Sequence, residues 1–103
     1  MPGLSLLENP DSRYHSNHWL TCVQVNPEEA RFDRETLRLA LQKAGVESRP
    51  LWKPMHLQPV FRSCPFYGSG VSDRLFEQGL CLPSGASLAG EDVDRIIDVL
   101  LNL

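Results

Sequence analysis

Hydrophobic and polar positions alternate most clearly over His18 to Val25 (HWLTCVQV). A period of two puts Trp19, Thr21, Val23 and Val25 on one face and Leu20, Cys22 and Gln24 on the other, which predicts a strand. Its near-absence of charge predicts that both faces are largely covered, and Asn26-Pro27 ends it. The period then changes. From Asp33 to Ala44, Leu37, Ala40, Leu41 and Ala44 follow the i, i+3, i+4, i+7 spacing of a helix with one buried stripe. Asp33 stands where an N-cap is wanted, and Gly45 where a left-handed residue closes the C-terminus.

The second half has shorter units. Val46 to Trp52 predicts a strand whose Pro50 lacks a ladder donor and so belongs at an edge or a strand end. Pro54 and Pro59 forbid regular structure from Lys53 to Pro59, apart from a short helical turn around Leu57–Phe61. Ser63 to Gly70 is a loop. Ser72 to Gln78 predicts a short helix capped by Ser72, with Val71 and Phe76 as a hydrophobic staple and Gly79 as its stop. Leu80-Cys81-Leu82 is a short buried strand ended by Pro83. Glu91 to Leu101 is a last helix with Val93, Ile96, Ile97 and Leu100 inside, entered through Ala89-Gly90, where a polar cap is missing at a cost of about 1 kcal/mol. Residues 1–16 are punctuated by Pro2, Gly3, Asn9, Pro10, Asp11 and Ser12 and read as an irregular lead-in continuing from something upstream. Residues 17–103 then form one α/β domain, a two-layer sandwich of a three-stranded sheet with helices mainly on one face.

Size and charge narrow the function classes. A chain of 103 residues, 42% hydrophobic and 22% charged, makes one ordinary globular core. A net charge of -3 argues against a nucleic-acid backbone as partner. No apolar run approaches the roughly 20 residues that span a bilayer, and Met1 to Leu7 lacks the basic start of a signal peptide, so no membrane association and a cytoplasmic location are expected. Cys22, Cys64 and Cys81 are odd in number and in a reducing compartment are expected to be free thiols.

The segment least like scaffold is Arg49-Pro50-Leu51-Trp52-Lys53-Pro54-Met55-His56-Leu57-Gln58-Pro59-Val60-Phe61. Prolines stiffen a loop that also bears Arg49, Trp52, Lys53, Met55 and His56, and a stiff loop loses little entropy on meeting a ligand. Arg and Lys suit phosphate or carboxylate, and His can donate to a hydroxyl or phosphate oxygen. The plainer reading has Trp52, Met55 and Phe61 filling the core while the charges face water; for Arg49 the plain alternative is a salt bridge on an edge strand.

RPLWKPMHLQPVF, followed after a loop by DRLFEQGLCLPSGASLAGEDVDRIIDVL, resembles the C-terminal end of the DegT/DnrJ/EryC1/StrS aminotransferases, and PGLS with SNHWLTC is similar to the segment leading into their small domain. The resemblance runs from Pro2 to Leu103. It implies the small C-terminal domain of a fold-type I, pyridoxal-phosphate-dependent enzyme that works as a homodimer and moves an amino group from glutamate to a keto sugar on a nucleotide, UDP in the nearest branch, for surface-glycan synthesis. It also implies that the large N-terminal domain, with the cofactor lysine, is not within these residues. Lys53 and His56 are the first candidates for contacts to sugar or pyrophosphate, with Trp52, Met55 and Arg49 as pocket shape and support. No catalytic, cofactor-binding or metal-binding residue is assigned, no cofactor is expected on this chain alone, and the chain alone is expected to be inactive. Lys53 lies in the small-domain motif and Lys43 beside the helix stripe, so neither is the expected Schiff-base lysine. Where relatives often carry Arg around the SN-x-WL segment, this chain has His15 and His18. Two alternatives stand beside this reading: a metal or redox module built on the H-x2-H-x3-C spacing of His15, His18 and Cys22 with Cys64 and Cys81, and a stand-alone, non-catalytic interaction module.

Overall fold

A computed structural model describes residues 1–103. Four antiparallel strands, β1 (Leu4–Leu6), β2 (Thr21–Val25), β3 (Arg49–Pro50) and β4 (Gly79–Leu82), lie in the order β1-β2-β4-β3. Four α-helices join them: α1 (Pro27–Ala30), α2 (Arg34–Lys43), α3 (Val71–Gln78) and α4 (Gly90–Leu101). The two-layer α/β class is the expected one; the sheet has four strands rather than three. The additional strand comes from the lead-in, where Leu4, Ser5 and Leu6 pair with Val25, Gln24 and Val23. Three residues carry too little pattern to announce a strand alone; β2 supplies the ladder that holds them.

The core lies on one side of the sheet. Val23 and Val25 of β2 and Leu80 and Leu82 of β4 meet Leu37 and Leu41 of α2, Val46 and Ile96 of α4. The α2 stripe is therefore as the spacing predicts, and both its ends are closed. Asp33 Oδ1 accepts from the backbone N–H of Thr36 at 2.7 Å and from its hydroxyl at 2.8 Å, and these two bonds hold the Asp33 carboxyl below its usual range. At the other end Gly45 adopts φ +73°, Gly45 N donates to Gln42 O at 3.0 Å and Val46 N to Leu41 O at 2.9 Å. That is a Schellman closure, and its usual apolar contact is between Leu41 and Val46, both buried.

Several boundaries differ from the sequence reading, each for a local reason. β2 begins at Thr21, because His18 takes a left-handed φ of 51° and Trp19 N donates to Asn17 Oδ1, which leaves the Trp19 ring exposed. Asn26-Pro27 does more than end β2: Asn26 caps α1 through Glu28 N at 3.2 Å, with Pro27 at the first helical position. Val46 is taken by the Schellman closure, so β3 shrinks to Arg49–Pro50 on the sheet edge, the place that Pro50 tolerates. Helix α3 begins one residue early, capped by Gly70 at φ 76°, so Ser72 lies inside it and Val71 is an exposed first-turn residue rather than half of a staple. Helix α4 starts at Gly90, and its vacant cap is partly made good: Asp92 Oδ2 reaches back to accept from Ala89 N at 3.0 Å. Its packed side is Ile96, Val99 and Leu100, while Val93 and Ile97, expected inside, are exposed together with Leu101.

Candidate functional site

The proline-stiffened segment leaves the fold at the edge strand. Arg49 and Pro50 pair with Cys81 and Leu80 of β4, and Leu51 N adds one further bond to Gly79 O at 3.4 Å. The Leu51 side chain lies over Gly79, where a Cβ would run into the Leu51 methyl and the carbonyl of Leu75. Gly79 is thus the seat that holds Leu51 to the sheet. Beyond that anchor the chain turns outward. Trp52 is 68% exposed and Met55 62% exposed, so the core roles open to them are not the ones they take. Large aromatics fill cores only where a facing layer meets them, and the two side chains lie beyond the end of β3.

The turn is fixed by its own bonds. Leu57 N donates to Pro54 O at 3.1 Å and Gln58 N to Met55 O at 3.0 Å, making a 3-10 turn over Met55–Leu57, followed by a second over Pro59–Phe61. The Gln58 side-chain amide donates to Lys53 O at 3.1 Å, tying the base of the turn to its exit. The Lys53 side chain forms no ion pair or hydrogen bond within the chain and stands in solvent beside Trp52. An ammonium so placed is a mobile point charge with three donors, suited to a phosphate.

His56 has a different setting from Lys53. Its ring stacks on Phe66, with centroids 3.6 Å apart and an interplanar angle of 19°. Its Nε2 lies 2.8 Å from Asp73 Oδ1 on α3, and both side chains are largely withdrawn from solvent. Neither atom makes an aligned hydrogen bond, so the contact is a close approach rather than a directed bond. His56 therefore links the turn to the first turn of α3, and Asp73 and Phe66 belong to the site's support. Sequence reasoning missed both; no spacing rule joins a loop histidine to residues 10 and 17 positions on. Arg49 takes the salt-bridge alternative, Nη2 to Glu47 Oε1 at 2.7 Å, with both partners exposed, a pair of small energetic weight. Of the five principal cavities, one of ≈ 310 Å³ takes Arg49 beside Cys81 and Ser84, and none is lined by Trp52, Lys53, Met55 or His56. The turn therefore offers a surface rather than a closed pocket.

Two further expectations can be placed. A seat for pyridoxal phosphate needs a lysine for the Schiff base and an acidic partner for the ring nitrogen. Lys43 and Lys53 are both exposed; Lys43 borders an open cavity between α2 and α4 with Arg95 and Asp98, and Lys53 stands on the turn. His15, His18 and the cysteines are not gathered: no group of three or more His, Cys, Asp or Glu side chains is placed to hold a metal ion. No helix is long and apolar enough to cross a membrane.

Comparison with known proteins gives this arrangement a setting. EpsN of Bacillus subtilis (strain 168), described as a pyridoxal phosphate-dependent aminotransferase, is 38% identical over 92 residues, covering 85% of this chain and 23% of EpsN. GDP-perosamine synthase of Caulobacter vibrioides is 30% identical over 82 residues, covering 80% of this chain and 22% of that enzyme. The crystal structure of DesI with its TDP-sugar product superposes with a TM-score of 0.80 at 26% identity, over 96% of this chain and 25% of DesI. The chain thus spans about a quarter of the length of the relatives it matches. With the family model matched across residues 1–101, the chain belongs to the DegT/DnrJ/EryC1/StrS aminotransferase family.

Proposed function

We propose that this chain serves as the small domain of a pyridoxal-phosphate-dependent aminotransferase acting on a nucleotide-linked keto sugar, and that the Trp52–His56 turn forms part of the substrate wall. The observation that carries the reading is the exposed, internally bonded turn with an unpaired Lys53 beside a solvent-facing Trp52, in a chain matched to the family along nearly its whole length. Pyridoxal phosphate, when bound to the complete enzyme, supplies the electron sink for amino transfer. The lysine that holds it lies in a large domain outside these residues, and this chain alone is inactive.

Each residue then has a role set by its surroundings. Lys53 contacts the pyrophosphate, Trp52 and Met55 shape the wall over the sugar, and Arg49 borders it from the sheet edge. His56, held by Phe66 and Asp73, fixes the turn and offers the face of its ring that remains open. Glutamate as donor and a UDP sugar as acceptor follow from the motif resemblance. The relatives named above include a GDP-perosamine synthase and an enzyme with a TDP-sugar product, so the features common to them are the sugar and the pyrophosphate, which are what Lys53 and Trp52 are suited to meet. The exposed stripe of Val93, Ile97 and Leu101 on α4 supports burial against the large domain or a second subunit in a cytoplasmic homodimer.

A graft tests this. Replacing the matching C-terminal quarter of EpsN with this chain is expected to preserve cofactor binding and amino transfer. Lys53→Ala in the graft is expected to raise KM for the nucleotide sugar about tenfold, the loss of one charge-assisted contact, with a smaller change in kcat. An unchanged KM, or covalent capture of pyridoxal phosphate by the 103-residue chain alone, would refute the reading.

A further inference from the structure

The two cysteines of the sheet stand directly across from each other. Cys22 of β2 and Cys81 of β4 are register partners, and their Sγ atoms are 3.7 Å apart. The hydrogen bonding around them fixes the kind of pair. Cys22 O accepts from Leu7 N at 2.9 Å, on the β1 side, and Gly79 O accepts from Leu51 N on the β3 side. N–H and C=O of one residue in an antiparallel strand point the same way, and residues i and i+2 repeat that direction. Cys22 therefore bonds away from β4, and Cys81, two residues from Gly79, bonds away from β2. The pair is a non-hydrogen-bonded one, for which Cα atoms are about 4.5 Å apart and side chains lie closest. That separation is within the range that a disulfide spans, about 4.4–6.8 Å.

Both thiols lie on the sheet face opposite the core residues Val23, Leu80 and Leu82. Cys22 is half-buried and borders a cavity of ≈ 480 Å³ with Leu6, Leu7, His18 and Leu20; Cys81, 8% exposed, borders a second cavity of ≈ 310 Å³ across Leu20. Small oxidants thus have a way to Cys22, the more exposed of the two thiols. Cys22 is the one an oxidant meets first, and burial, and then the contact with Cys22, push the Cys81 thiol up to about 11.

We propose that Cys22 and Cys81 form a reversible dithiol–disulfide site, oxidised by low-molecular-weight disulfides. The Cys22 thiolate attacks one sulfur of the oxidant RSSR, the S–S bond of RSSR breaks, and one RSH leaves. The Cys81 thiolate then attacks the Cys22 sulfur of the mixed disulfide, closes the protein S–S bond and releases the second RSH. Two protein thiols are oxidised and one disulfide is reduced to two thiols, with no other reactant. Closing from 3.7 Å to the bond length of about 2.05 Å asks for rotation about the two side chains and not for strand movement. The bridge would fasten the central strands β2 and β4. Because Arg49 pairs with Cys81, it would form directly beside the edge strand that carries the Trp52–His56 turn.

The test uses the 103-residue chain with Cys64, which is exposed, changed to Ser so that it cannot link molecules. Oxidised glutathione is expected to lower the thiols titratable after denaturation from two per chain to none, without glutathione on the protein. Peptide mapping is expected to give one Cys22–Cys81 link, reversed by dithiothreitol. Circular dichroism before and after treatment checks that the fold persists. Retention of both thiols, stable glutathione adducts on Cys22, or a link formed only once the chain is denatured would each overturn the proposal. The wild-type chain mapped in the same way supplies the result without any substitution.

Discussion

The sheet-and-helix core and the Leu51–Gly70 segment divide the work of the molecule unevenly. In the core Val25, Leu37, Leu41 and Leu80 are fully buried, yet only 10 of 103 residues are buried at all, so these few side chains carry the fold. In the segment, Trp52, Met55, Val60, Phe66 and Tyr67 all face solvent, Tyr67 with 92% of its surface. Two regions of similar hydrophobic content thus treat it in opposite ways. The difference teaches that apolar residues outside a periodic pattern cannot be counted toward the core of this chain. The segment keeps its shape through backbone turns, prolines and the Gln58 and His56 contacts rather than through burial.

The largest effect separating the two regions is expected at the core. Leu41→Ala removes a side chain packed between α2, the sheet and the Schellman partner Val46. It should cost about 2–5 kcal/mol by loss of transfer energy and the cavity left behind. Urea denaturation of both proteins measures this, and a cost below that range would mean that the core repacks and the contrast is softer than drawn.

The next effect lies at the join. Gly79→Ala puts a methyl against Leu51 and the carbonyl of Leu75. Backbone cannot give way as a flexible side chain does, so a loss of about 1–3 kcal/mol is expected. The loss should come with faster hydrogen exchange at Leu51, whose amide bonds to Gly79 O. If stability falls without any change at Leu51, then Gly79 matters for α3 alone and the turn is not seated through it.

The same contrast explains which parts of the fold the sequence could announce. Helix α2 was legible in full, because cap, stripe and closing glycine each have a local signal at Asp33, Leu37, Leu41 and Gly45. So was β4, where Gly79 and Pro83 bracket an apolar run. Strand β1 was not, since Leu4–Leu6 gains its identity only by pairing with β2, about 20 residues away. The rotation of α4 was also hidden: Val93, Ile96, Ile97 and Leu100 share one apolar arc, and only the position of α2 decides that Ile96, Val99 and Leu100 face it. At the candidate site the stiffness and the residue types could be read from the prolines and from Lys53, whereas the outward aim of Trp52 could not. Side-chain direction past the end of an edge strand depends on where the chain turns, and that is a property of the assembly.

The smallest expected effect is the sharpest check on the contrast. Trp52→Ala deletes the larger part of the turn's apolar surface, yet a side chain that touches so little of the core should alter the stability of this chain by no more than about 0.5 kcal/mol. Trp52 and Trp19 are both exposed, so indole emission of the folded chain should be readily quenched by acrylamide and should move little on unfolding. Joined to the large domain in the EpsN graft, Trp52 in a Trp19→Phe background should lose much of that quenching, because the proposed function makes the surface that is free here the wall of a cleft there. Equal quenching in the two settings would leave Trp52 an ordinary exposed residue. A stability loss of several kcal/mol in the isolated chain would instead return it to the core, and the two regions would no longer differ in kind.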